Sequence, residues 1–270
     1  MNNEHINLIA YDDFEKLENL GDKIDEYRQS KLESAQGHVN FIKNYFPNKQ
    51  ITVIELGSGN SRTLFALEKA GILKKGYGLE ISKTRFEFAE LWKREWDFRC
   101  VENINTDATT MSFGDIKENI DLCFCVDLAF QFFEPMGKNK AFTILGKIQE
   151  KLQPKGIIIL ELDGFDRVLS RIRNGNVKLW EEFPSPDPWR YSLWDCQYDF
   201  GDKFMQLKKS FIRRNGFGLS ESSVMLRVYN KDEICSLLKN AGLKNIKLYS
   251  DWNGANFIDD TYEYIVVGLK

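Results

Sequence analysis

Histidine is almost missing from this chain: two of 270 residues, His5 and His38. A search for a catalytic base by residue type is therefore soon exhausted. His5 lies in a polar opening segment, and His38 falls in a helical stretch ahead of the first strand. His38 reads first as a packing residue and only then as a base. Five cysteines, Cys100, Cys123, Cys125, Cys196 and Cys235, are an odd number with no C-x-x-C pair. That excludes a disulfide framework or a zinc site, and Cys123 and Cys125 read as small apolar residues on a buried strand. No neighbouring Asp and Asn cluster stands near 127 or 163, so no metal is expected. No excess of positive charge exists either. A net charge of −3 gives no field toward nucleic acid or an anionic membrane. The pairs Lys208-Lys209 and Arg213-Arg214 sit in alternating patterns and read as a solvated face. The first residues, Met1-Asn2-Asn3-Glu4-His5, lack the basic start and apolar core of a signal peptide. The longest apolar run, Leu122 to Phe133, is broken by Asp127 and Gln131 and is too short to span a bilayer. A cytoplasmic protein is expected, with no membrane partner; monomer and homodimer are both open.

What the chain does have is one organising stretch, Ile51-Thr52-Val53-Ile54-Glu55-Leu56-Gly57-Ser58-Gly59-Asn60-Ser61-Arg62. A β-branched, apolar run, two glycines alternating with small polar residues and then a helical pattern predict strand, tight turn and helix. The glycines let the backbone turn sharply and let a ligand come close. The following helix aims unpaired N–H groups over the turn. A second strand, Gly76-Tyr77-Gly78-Leu79-Glu80-Ile81-Ser82, brings a carboxylate 21 residues after Gly59. An acidic side chain at that strand end can accept hydrogen bonds from both hydroxyls of a ribose. Glu55 stands where dinucleotide-binding folds usually keep an apolar residue, and its carboxylate can face a cationic amino-acid end of a ligand.

These residues resemble the first motifs of the class I S-adenosylmethionine-dependent methyltransferases of small-molecule type, and the resemblance runs by order of elements from about residue 50 to the C-terminus. It implies S-adenosylmethionine as cofactor, with Glu55, Gly57, Ser58, Gly59 and Arg62 at its methionine part. It further implies Glu80 with Ile81 at the ribose, Asp107 with Ala108 at the adenine, and Asp127 with Leu128 completing the site. The third small position is Ser61, where the commonest pattern has glycine. The resemblance also implies an N-terminal helical cover, residues 1–48, in which Tyr11 and Tyr27 could line the site.

Strand and helix alternate from residue 51 onward, which predicts a Rossmann-like, doubly wound, mostly parallel α/β sheet. Strands are expected near 51–56, 76–81, 98–104, 120–126 and 156–162, with Gln153-Pro154-Lys155-Gly156 as the turn into the fifth. Helices are expected near 61–71, 83–94 and 138–152. Residues 164–200 hold Trp180, Trp189 and Trp194 with prolines 184, 186 and 188, and read as an ordered cover with little regular structure. Runs 203–214 and 219–229 form a hairpin across Asn215-Gly216-Phe217-Gly218. Helical spacing returns at 231–238, and strands near 243–250 and 262–269 finish the sheet. The whole reads as a single domain, 1–270, with residues 164–229 inserted as a cover over the acceptor.

Methyl transfer from a sulfonium is an in-line displacement, so the protein must align two reactants and exclude water. A hydroxyl acceptor needs a base; an amine needs only its lone pair. Asp163 and Asp127, at the carboxyl ends of the fifth and fourth strands, are the candidate bases, with His38 third. Glu161 shares the face of Asp163. A small molecule suits the aromatic cover, and a hydroxyl of a sugar-like compound is the expected acceptor, an amine the alternative. A nicotinamide oxidoreductase and a non-catalytic nucleotide-binding protein are the competing classes.

Overall fold

The computed structural model describes residues 20–165, 169, 175–216, 218–259, 261 and 263–270. His5, Tyr11 and Phe14 lie outside them. Strands buried on both faces read as continuous apolar runs. β1 (Ile51–Leu56) and β4 (Ile120–Cys125) are buried at every residue and stand side by side at the centre of a seven-stranded sheet. β2 (Leu73–Glu80) and β3 (Val101–Asn105) extend it on one side, and β5 (Leu152–Asp163) on the other, all parallel. Two last strands, β10 (Lys244–Tyr249) and β11 (Glu263–Leu269), close that edge antiparallel, giving the order β10-β11-β5-β4-β1-β2-β3.

Alternate residues of the central strands feed two cores. Val53, Phe124, Ile159 and Ile265 pack beneath α1 (Ile24–Ser34), α2 (Gln36–Tyr45), α3 (Arg62–Lys69) and α4 (Lys83–Glu95). Ile54, Cys123, Ile158 and Val266 pack against α5 (Lys140–Lys151) and α6 (Lys231–Asn240). Asn230 caps α6 by accepting from the Glu233 N–H at 2.9 Å, while the Glu233 side chain accepts from the Asn230 N–H at 3.1 Å. That reciprocal box starts the helix sharply.

Three expectations need correction. β2 begins three residues before Gly76 and β3 three after residue 98. The Gln153–Gly156 turn does not precede β5 but lies within it. Ile120 pairs with Leu152 and Leu122 with Ile157, so between these pairs the single residue Asp121 of β4 stands opposite four of β5, 153–156, and Lys155 takes φ +66° in the bulge. The segment expected to have little regular structure is a sheet: β6 (Asn176–Glu182) and β7 (Trp189–Asp199) pair antiparallel and extend the predicted hairpin of β8 (Phe204–Arg213) and β9 (Leu219–Arg227) to four strands. Its inward residues Cys196, Met205, Leu207, Val224 and Leu226 form a third core with Phe165, and Phe132 from the loop after β4 packs against it. The sheet leaves the main body after Asp163 and comes back at Tyr229, whose carbonyl accepts from the Tyr264 hydroxyl at 3.0 Å. Since Tyr264 pairs with Leu162, exit and return sit beside each other.

Candidate functional site

The turn after β1 carries Gly57 at φ +67° and Gly59 at φ +55°. Conformation favours glycine at both, and at Gly57 the surroundings require it as well. A Cβ on Gly57 would lie 2.7 Å from the Ala129 methyl, and one on Gly59 would lie 2.7 Å from the Arg85 guanidinium. Glu80, at the end of β2, accepts from the N–H groups of Gly59 at 2.7 Å and Ser82 at 2.8 Å. The acidic strand end therefore holds the glycine turn as well as facing the space above it. The loop after β3 is brought to the same edge, because Thr106 N–H and Asn105 Nδ2 both donate to the Glu80 carbonyl, at 2.9 and 2.8 Å.

Glu55 is buried at 2 % exposure, and its Oε2 has no hydrogen-bond partner; the same is true of Ser58 Oγ. Burial pushes the Glu55 carboxyl up to about 8 against the nearby charge of Arg62. Arg62 itself reaches across to Asp127, whose two oxygens accept from one guanidinium nitrogen at 2.8 and 2.7 Å. Asp127 and Leu128 both adopt positive φ, +53° and +67°, in the turn leaving β4. The Asp127 N–H donates to Glu161 Oε2 at 2.9 Å, and Trp252 Nε1 donates to Glu161 Oε1 at 2.7 Å. Burial, reinforced by Asp127, pushes Glu161 up to about 7.

Beyond Glu161 the cavity runs beneath the four-stranded sheet. Asp163 and Glu263 are direct partners across β5 and β11, so two carboxylates face one another there, and Glu181 approaches from β6. Burial raises the proton affinity of all three, Asp163 well above its ordinary value, and neighbouring acids add to it: Glu263 and Glu161 at Asp163, Asp127 and Glu181 at Glu263, and Asp187 at Glu181. Among the described residues none of the three has an ion-pair partner at bonding distance, and only Glu181 has a side-chain hydrogen bond, from Ser192 at 3.5 Å. Lys209 enters from β8, its ammonium 4.0 Å over the ring of its cross-strand neighbour Trp194.

One cavity of about 430 Å³ gathers most of the sequence-predicted set: Glu55, Gly57, Ser58, Gly59, Arg62, Glu80, Ile81, Asp127, Leu128 and Asp163 all line it. Tyr27 lines it too, from α1. Three predicted residues do not. His38 is buried behind the wall, bonded to Thr63 Oγ1 at 3.2 Å and packed 4.4 Å from the Trp252 ring. Burial, then Arg62, pushes its pKa down to about 4, so it stays neutral. Asp107 sits in the loop after β3, where its Oδ1 accepts from the N–H and hydroxyl of Thr109, both at 2.7 Å, and Ala108 joins the core behind it. Lys209, expected on a solvated face, is 9 % exposed and lines the cavity. Lys209, Glu181 and Glu263 were missed. Lys209 carried a signal, because the inward period-two stripe of its strand is Met205, Leu207, Lys209, Phe211. Glu181 and Glu263 stand at the ends of the apolar stripes Val177-Leu179 and Ile265-Val267, where an acid reads as the end of a strand and not as an inward group.

No family model matches the chain, and no curated protein matches it in sequence. Solved structures do match in fold. The CcbJ methyltransferase from Streptomyces caelestis superposes with a TM-score of 0.72 at 16% identity, over 87% of this chain and 88% of that one. An amino pentose methyltransferase from Micromonospora echinaspora, solved with S-adenosylmethionine (SAM) bound, gives 0.64 at 14%, over 89% and 92%. A sugar N-methyltransferase from Streptoalloteichus sp ATCC 53650 gives 0.61 at 10%, over 87% and 86%. The chain has the fold of SAM-dependent small-molecule methyltransferases.

Proposed function

We propose that this protein transfers the methyl group of SAM to the nitrogen of a small-molecule amine. The observation that carries the choice of nitrogen is the trio Asp163, Glu181 and Glu263, one half-buried and two more exposed carboxylates lining one cavity without an ion-pair partner among the described residues. Lys209 balances part of that negative charge, and an ammonium group on the acceptor would balance more of it, which a neutral hydroxyl would not. The solved relatives named for amino pentose and sugar N-methylation support the same side of the choice.

The residues present fit the cofactor. Glu55 Oε2 and Ser58 Oγ are buried polar atoms with no partner at the edge of the cavity, where a ligand's donors could meet them. Glu55, Gly57, Ser58, Gly59 and Arg62 would hold the methionine part, Glu80 with Ile81 the ribose, and the loop of Asp107 and Ala108 the adenine. Asp127 and Leu128 would close the site from β4. When bound, SAM supplies an electrophilic methyl group on a sulfonium. The chain's own part is to bind, align and take a proton. An acceptor amine arrives protonated and must lose its proton before its lone pair can attack. Asp163, whose carboxyl is held well above its ordinary pKa, is the group to receive it. Residues 164–229 serve as the acceptor cover, and the helices before residue 48 wall the cofactor half through Tyr27 and Lys31.

Two measurements test the reading. Calorimetric titration with SAM, its demethylated product and NAD should give micromolar affinity for the first two, about −8 kcal/mol, and none for NAD. Methyl transfer to matched amines and alcohols should favour the amines. Tight NAD binding without SAM binding sinks the function, and faster transfer to alcohols sinks the choice of nitrogen.

A further inference from the structure

Lys209 is the one buried charged residue in the inward stripe of β8, between Leu207 and Phe211. At 9 % exposure it has little contact with bulk water. Its ammonium carries three donors and no acceptor, and such a group is costly to bury without lone pairs to receive them. Among the described residues it has no hydrogen bond and no ion pair. The Trp194 face at 4.0 Å answers its charge but offers no lone pair. The remaining direction is into the cavity that Lys209 lines. Asp163 and Glu181 across that space oppose the lowering of its pKa by burial. The acceptor half is thus two-ended, with an acidic wall at the ends of β5 and β11 and a single donor in the roof.

We propose that Lys209 is a specificity-determining residue. It donates to an oxygen of the acceptor while the nitrogen of the same molecule sits against Asp163, Glu181 and Glu263. The proposal rests on the amine reading above and narrows it to amines that carry a nearby oxygen, amino alcohols in the simplest case. A plain alkyl amine would satisfy the acidic wall and leave the Lys209 donors unanswered.

Ethanolamine and propylamine have the same number of heavy atoms and differ by one hydroxyl, so they serve as probes. Their affinities would be measured by nuclear magnetic resonance titration on the full chain saturated with S-adenosylhomocysteine. The wild-type protein should prefer ethanolamine by about tenfold. Lys209→Met should abolish the preference while keeping the affinity for propylamine, and Lys209→Arg should retain part of it. A residue that merely holds the sheet together would lower both affinities alike and leave their ratio unchanged. Equal binding of the two probes in the wild type, or a preference that survives in Lys209→Met, overturns the proposal. If neither probe binds while S-adenosylhomocysteine does, the amine reading itself falls, and this inference with it. Unchanged S-adenosylhomocysteine affinity in both variants checks that they are folded.

Discussion

A carboxylate that accepts two backbone N–H groups, as Glu80 does from Gly59 and Ser82, fixes the shape of a turn as well as its charge. Glu80→Ala removes that anchor and the acceptor for the ribose together, so SAM affinity should weaken by roughly 1–3 kcal/mol in calorimetry. Unchanged affinity would take Glu80 out of the site. Asp163 poses a different question, because the role proposed for it is to take a proton. Asp163→Asn keeps the shape and removes the basicity, and turnover at saturating cofactor should fall on the order of a hundredfold. Full turnover in that variant would leave the proton to another group. Asp127 is already committed to Arg62, and His38 is sealed behind Thr63 and Trp252. Both are therefore poorer candidates for the base than their places in the sequence implied.

Elements differed in how plainly the sequence announced them. β1, β4 and β5 were legible because strands buried on both faces must be apolar throughout, and the paired glycines marked where β1 turns. β6 was not legible. It is an edge strand whose inward residues Val177 and Leu179 are only half-buried and whose outward face carries Trp180, 67 % exposed, so the contrast between its faces is blurred, and the prolines at 184, 186 and 188 look like an end to structure when they only bend the connection to β7. The part of the cavity lined by Glu55, Gly57, Gly59 and Glu80 was legible because those residues follow strand ends in order. The acceptor half depends on pairings such as Asp163 with Glu263, which are 100 residues apart, and no local pattern encodes that. The four-stranded sheet has a core of its own, and Leu207 is fully buried in it. Leu207→Ala should destabilise by about 2–5 kcal/mol in denaturant unfolding. It should also raise the KM for the acceptor more than that for SAM, because the cofactor half lies on the other sheet. An equal rise in both would mean that the two halves do not loosen separately.

At the scale of the whole molecule, the buried acids make stability depend on pH. Glu55 is raised from 4.5 to about 8 and Glu161 to about 7, so above 4.5 the folded chain holds protons that the unfolded chain has lost. Each acid therefore costs stability as pH climbs toward its folded value. His38 works the other way. Its pKa falls from 6.5 to about 4, so it adds stability as pH rises through that interval and nothing further above it. Between pH 6.5 and 8 the acids act unopposed by His38, and the melting temperature should fall across that range. Glu55→Gln, which cannot ionise, should flatten the decline. A melting temperature that rises over the interval would contradict the burial of these groups.

The covering sheet leaves the main body after Asp163 and comes back at Tyr229, and the Tyr264 hydroxyl bonded to the Tyr229 carbonyl keeps those two points together. A segment whose ends are neighbours can be exchanged for another of different length without stretching the framework that holds them. On the proposed reading, the segment between those two points is, in evolutionary terms, a cassette. Its replacement would re-address the enzyme to a new acceptor while β1, the glycine turn and Glu80 went on serving the same donor.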